Sequence, residues 1–258
     1  MPAEEPLFGG LVDGRVVRAG DTVRRPAGPW TATIQALLAH LQTKDFPSPK
    51  PLGIDNQGRE VVSWLTGRAS NYPWPAALLA EDGARQVGAL LRRYHEAVAG
   101  FAPPEPAVWR HGPQALAPGE IVLHGDFGAH NLLWDGDKPS GVIDFELARP
   151  GKPVDDAIFC AVRIAQLRPE KMARAAGFAR DPDRRARLEA FADGYGCTAA
   201  LLLREARGCM LDEEARILRL GRTGLDPWAT FLARGLDAEV RGEIAWLDAN
   251  MAKLAELS

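Results

Sequence analysis

Two short apolar runs, each delivering a polar cluster, constrain this chain more than any other feature. Ile121-Val122-Leu123 runs into His124-Gly125-Asp126-Phe127-Gly128-Ala129-His130-Asn131, and Gly141-Val142-Ile143 runs into Asp144-Phe145-Glu146. Short apolar runs bounded by turn residues read as buried strands, so each cluster occupies a loop at a strand end. The connection Asp135-Gly136-Asp137-Lys138-Pro139-Ser140 is short and rich in turn formers, which makes the two strands neighbours in a hairpin. Asp126, Asn131 and Asp144 then gather at one end of that hairpin.

Phosphoryl transfer needs this inventory. Its transition state is loose, so catalysis is mostly positioning and charge neutralisation. Magnesium takes oxygen ligands and keeps some of its waters, so one carboxylate and one amide oxygen beside the phosphates suit it. A separate carboxylate must orient the attacking hydroxyl and accept its proton. Asp126 fits that second role, and Asn131 and Asp144 fit the first. A dedicated calcium site would supply six or more oxygens, which these three side chains do not.

The double motif resembles that of the aminoglycoside phosphotransferases and their relatives, His-Gly-Asp-x-x-x-x-Asn followed by Ile-Asp-Phe/Trp-Glu. The resemblance runs from about Gly9 to about Leu167. It implies an α+β, protein-kinase-like, two-lobed fold, in which the matching kinase motifs read His-Arg-Asp and Asp-Phe-Gly. The chain changes character near residue 70: β-like runs with Gly and Pro turns come before, helical periodicity after. The expected division is a β-rich nucleotide-binding lobe over 1–65 and a helical lobe with catalytic loop and substrate pocket over 66–258. The implied activity moves the γ-phosphate of ATP or GTP, with Mg2+, to a small-molecule hydroxyl such as that of an aminoglycoside or a metabolite. Within Pro153-Val154-Asp155-Asp156-Ala157, Asp156 matches the acid that braces the catalytic loop, and His124 is read as a second brace. His130 and Glu146 stand where they could face the substrate.

The N-terminal half departs from the family pattern. Gly9-Gly10-Leu11-Val12-Asp13-Gly14-Arg15-Val16 keeps Gly14 of a phosphate-covering glycine loop but has Leu11 in place of the middle glycine, and it reads equally as a β-turn. The usual strand lysine is missing. Thr22-Val23-Arg24-Arg25 offers arginine instead, and strand alternation sets Arg25 on the same face as the apolar Val23; Arg25 is the favoured phosphate partner, with Arg24 still open. The helix over 30–42, with Thr31 as its expected N-cap, has no glutamate for that cation, and Gln35 is the nearest polar candidate. Ser63, Trp64 and Leu65 fall where the lobe connection meets a purine. A catalytically weak nucleotide-binding protein is the alternative reading that these departures support.

Bulk properties agree with a small-molecule enzyme. A formal net charge of −3 gives no reason to expect nucleic acid or membrane as partner. The three cysteines Cys160, Cys197 and Cys209 form no CxxC pair, so a disulfide framework is not expected and a cytoplasmic setting is. Asp212-Glu213-Glu214 reads as a solvated helix face, and His95 as structural. The oligomeric state is left open.

Overall fold

The computed structural model describes residues 3–7, 15–112 and 114–255. Strands β1 (Glu4–Pro6), β2 (Val17–Ala19) and β3 (Thr22–Pro26) are followed by helix α1 (Thr31–Gln42) and strands β4 (Pro51–Ile54) and β5 (Arg59–Ser63). The strands make one antiparallel sheet in the order β1-β2-β3-β5-β4. In the β3–β5 register Arg25 stands directly opposite Glu60, so these side chains share one face. The apolar stripe of α1, Ile34, Leu37, Leu38 and Leu41, is fully buried. Its N-cap is Trp30 rather than Thr31, and no side chain caps it. The Thr31 hydroxyl instead accepts from the Gly28 amide at 2.9 Å, which tightens the turn before the helix.

The rest of the chain is mostly helical. In order come β6 (Arg68–Ala69), α2 (Ala76–Leu79), α3 (Glu81–Val98), β7 (Ile121–Leu123), β8 (Leu132–Asp135), β9 (Lys138–Val142) and β10 (Arg149–Gly151). Then follow α4 (Pro153–Ile164), α5 (Glu170–Ala176), α6 (Arg184–Tyr195), α7 (Ala199–Gly221), α8 (Trp228–Ala233) and α9 (Leu236–Ala255). No helix among the described residues is long and apolar enough to cross a membrane.

The expected hairpin needs one correction. Strand β9 does fold back, but onto β8, while β7 pairs antiparallel with β10. Leu132-Leu133-Trp134 is itself a buried strand, so the turn returns β9 to that neighbour and leaves β7 to find another. Two bonds still draw the polar clusters together. The Ile143 amide donates to the Asn131 carbonyl at 2.9 Å, and the His124 ring meets the Ile143 carbonyl at 3.1 Å.

Helix α3 packs against β7 and β9, and α6 packs on α3, the two helices approaching at two glycines. A Cβ on Gly88 would collide with the Phe191 carbonyl, and one on Gly194 with the Arg85 carbonyl. Beside this crossing lies Arg187, 1% exposed. Its guanidinium donates to the carbonyls of Leu78, Leu79, Ala80 and Ile164 at 2.8–3.1 Å, tying the entry of α3 to the C-terminal end of α4. Gly88→Ala is expected to lower stability by about 1–3 kcal/mol, as overpacking does, read as a lower urea midpoint with an unchanged slope.

Candidate active site

The loop after β7 owes its shape to α4. At the start of that helix the Lys152 amide donates to the Asp155 carboxylate at 3.2 Å, and the next residue, Asp156, turns inward and is 2% exposed. Its carboxylate accepts from the amides of His124 at 2.7 Å and Gly125 at 3.1 Å. Burial works against its charge, but the His95 ring 3.6 Å away, the nearby His124 and these amides hold its pKa below the usual carboxylate range. Gly125 has φ +80° and lies so close to the Leu147 carbonyl that no Cβ fits. His124 is wholly buried. Its Nδ1 accepts from the Asp126 amide at 3.3 Å while Nε2 faces the Ile143 carbonyl, a pairing that suits the neutral ring. Burial lowers its pKa accordingly.

Asp126 emerges from this loop. Its Oδ2 accepts from His130 Nε2 at 2.9 Å and from Asn131 Nδ2 at 3.0 Å. Burial pushes its pKa up, but the His130 charge and hydrogen bond outweigh it and the net shift is downward. The same contact raises the pKa of His130. Asn131 also donates to the Asp126 main-chain carbonyl at 2.9 Å. Both amide hydrogens are thereby committed, and no hydrogen bond engages Oδ1 among the described residues.

Asp144 sits at the end of β9 in the left-handed region, φ 65°, a strained setting for a non-glycine residue. Arg25 reaches it from the sheet at 3.2 Å and reaches Glu146 at 3.4 Å, while its Nε donates to Glu60 at 2.6 Å. Of the two candidate arginines, Arg25 faces Asp144 and Glu146, and Arg24 pairs with Glu4 at 3.0 Å. Sequence reasoning missed Glu60. It is 1% exposed, bonded to Arg25 on one oxygen and to Gln35 at 2.8 Å on the other. The carboxylate absent from α1 is thus supplied by the neighbouring strand, and Gln35 holds it. Alternation along β5 was the available signal, since Glu60 and the buried Val62 share a face.

Asp126, His130, Asp144 and Glu146 line one cavity of about 540 Å3, with Trp30, Arg110, Arg163, Glu213, Arg216 and Trp228 among its other walls. Glu146 is paired with Arg110, and burial raises its pKa. Arg110 also lies over the Trp30 ring at 4.5 Å. Glu213 is not a solvated face residue as expected. Arg163 grips both its oxygens at 2.6 and 2.7 Å, whereas Asp212 is exposed. Ser63, Trp64 and Leu65 lie outside this lining. The Ser63 and Trp64 amides already donate to Lys50 and Asp21 carbonyls at 2.9 and 2.8 Å, and Trp64 carries Arg18 over its ring at 4.3 Å. Gly14 lies outside the described residues. Asn131 Oδ1 and the half-exposed Asp144 carboxylate are hard oxygen donors that fit a magnesium ion bound with phosphate and water. Among the described residues no cluster of three or more His, Cys, Asp or Glu could hold a metal by itself.

A model of the phosphotransferase enzyme family matches residues 105–201. A curated relative, the trifolitoxin immunity protein of Rhizobium leguminosarum bv. trifolii, is 33% identical over 237 residues, 90% of this chain and 87% of its own. The chain belongs to the phosphotransferase enzyme family. Solved structures agree on the protein-kinase-like α+β fold. A choline/ethanolamine kinase family protein from Mesorhizobium loti superposes with TM-score 0.60 at 17% identity, over 95% of this chain and 92% of that one. An amicoumacin kinase, solved with AMP-PNP, Ca2+ and amicoumacin, gives 0.61 at 12% identity, over 92% and 87%. In this chain Arg25 of β3 is held by Glu60 of the adjacent strand β5.

Removing that acid tests the arrangement. Glu60→Ala leaves a buried guanidinium without its nearest partner and is expected to cost about 3 kcal/mol. Glu60→Gln, which keeps the shape, should fall between this variant and the parent in urea unfolding.

Proposed function

We propose that this protein transfers the γ-phosphoryl group of ATP or GTP to a hydroxyl of a small molecule. The observation that carries this reading is that Asp126 and Asp144 line one cavity, with Asn131 bonded to Asp126 at 3.0 Å and the inward cation Arg25 bonded to Asp144 at 3.2 Å. In the proposed reaction the acceptor oxygen attacks the γ-phosphorus as the bond to the β,γ-bridging oxygen breaks. Asp126 takes the hydroxyl proton, and the nucleoside diphosphate leaves with the electron pair. Asn131, through Oδ1, and Asp144 would hold the magnesium, which when bound neutralises triphosphate charge. Arg25 clamps the phosphates in place of the usual lysine; its planar guanidinium suits bidentate contact. Asp156 and His124 hold the loop so that the Asp126 carboxylate stays aimed at the acceptor. In this reading residues 1–65 make the nucleotide-binding lobe, and 66–258 the helical lobe with the catalytic loop and substrate pocket.

The adenine nucleotide bound to the amicoumacin kinase makes ATP the first donor to test. The immunity protein's name directs the acceptor screen to toxic compounds alongside aminoglycosides, sugars and amino alcohols.

Asp126→Ala should keep nucleotide affinity while lowering turnover by about 10²–10⁴, the range for general-base removal; Asp144→Ala should instead weaken the magnesium-dependent part of ATP binding. Full turnover by Asp126→Ala sinks the assignment, and ATP binding without transfer to any acceptor favours a binding protein. The pH profile gives an independent check. The His130 charge depresses the Asp126 pKa, so His130→Phe raises it and moves the acid limb of kcat/KM to higher pH.

A further inference from the structure

The acceptor side of the cavity carries a charge pattern that narrows the substrate class. Each cavity carboxylate already has a partner. Asp126 has His130, Asp144 has Arg25, and Glu146 has Arg25 and Arg110; Glu213 has Arg163, and Asp226 accepts from Thr230 at 2.9 Å. Arg216, on α7, is different. It lines the cavity beside Glu213, whose two oxygens are both taken by Arg163. Arg216 itself makes no ion pair or hydrogen bond among the described residues. Burial and then the nearby Arg149 lower its pKa, and the Glu213 charge, already shared with Arg163, offsets them only in part.

A second observation marks the same wall. His111 lines the cavity and is 8% exposed, yet neither ring nitrogen has a hydrogen-bond partner. Its ring packs on Trp228 at 4.4 Å between centroids. Burial, then Arg149, Arg216, Arg219 and Arg110, push its pKa down to about 3. The ring is therefore neutral and sits in a positive field. Buried polar groups without partners are rare and point to an absent one. Trp228 and Phe231 add an apolar, aromatic surface next to it.

We propose that the acceptor bears an oxyanion, a carboxylate or phosphate, that docks on Arg216 near His111 while its apolar body packs on Trp228 and Phe231. This deepens the phosphotransferase reading and rests on it for the word acceptor. Among the described residues only Asp226 of the cavity carboxylates lacks a cationic partner, and its Oδ1 is held by Thr230, so a polycation finds little free negative charge here, whereas an anion finds an unpaired guanidinium whose desolvation is already in place. The attacking hydroxyl then lies on the Asp126 side of the same molecule.

Binding to the full chain in the presence of magnesium and ATP tests this without knowledge of the natural acceptor. The probes are hippurate, which joins an aromatic ring to a carboxylate, its uncharged amide hippuramide, phenyl phosphate, and kanamycin as the polycation, each titrated calorimetrically. Hippurate or phenyl phosphate should bind about ten- to hundredfold tighter than hippuramide, the range for a charge-assisted hydrogen bond; the tighter of the two identifies the oxyanion. Arg216→Gln should abolish that preference and Arg216→Lys should keep part of it. Equal or tighter binding of hippuramide or kanamycin overturns the proposal, as does an unchanged preference in Arg216→Gln or no binding of either anion at millimolar concentration. If Arg216→Gln does not fold, the matched pair on the parent protein and Arg216→Lys still decide. The phosphotransferase reading fails separately, by absent magnesium-dependent ATP binding or by ATP binding without transfer to any acceptor of the screen.

Discussion

The buried pair of Arg25 and Glu60 joins the sheet to the segment that carries the motif residues. Neither charge is cheap to remove from water, and a pair of this kind gains little stability over well-packed apolar residues. What it gains is position. Arg25 spends one edge on Glu60 and turns the other toward Asp144 and Glu146, so a strand residue and a loop residue far apart in sequence share one charged centre. Gln35 secures Glu60 from α1, and helix, sheet and loop are thereby fixed to one another through a single guanidinium. Its pKa rises with these contacts despite burial, which keeps the charge present under all ordinary conditions.

Two histidines of one loop respond to their surroundings in opposite directions. His124 is closed off, its two nitrogens divided between an amide and a carbonyl, and it is held neutral. His130 lies against the Asp126 carboxylate and is drawn toward its charged form. One ring gives the loop its shape and the other sets the field at its tip. Residue type alone could not separate these duties; the difference arises from which ring the fold encloses.

Much of the arrangement was legible because it is local. Apolar triplets followed by polar clusters located both loops, and periodicity located α1, α3, α6 and α7 to within a residue or so. The inward direction of Arg25 followed from alternation with Val23. Strand partnership was less accessible: β7 and β9 both border a loop, yet each pairs elsewhere, because Leu132-Leu133-Trp134 competes as a buried strand. Glu60 escaped notice because a glutamate in a short strand ordinarily faces water, and only the cross-strand arginine makes its burial tolerable. Arg110, His111 and Glu213 reach the cavity from a loop and a late helix, and nothing in the spacing of the chain announces such long-range meetings.

Arg187 shows how narrowly one position can be specified. Four main-chain carbonyls converge on its side chain from two directions, with no carboxylate among them, and its pKa falls to about 10. Only a flat fork with several hydrogens can serve so many oxygens at once; an ammonium offers three, from a single point. Sequence drift in this lineage therefore meets a barrier at position 187 even against the most similar basic residue. The α3 entry and the end of α4 can diverge only in side chains that leave those oxygens where they are.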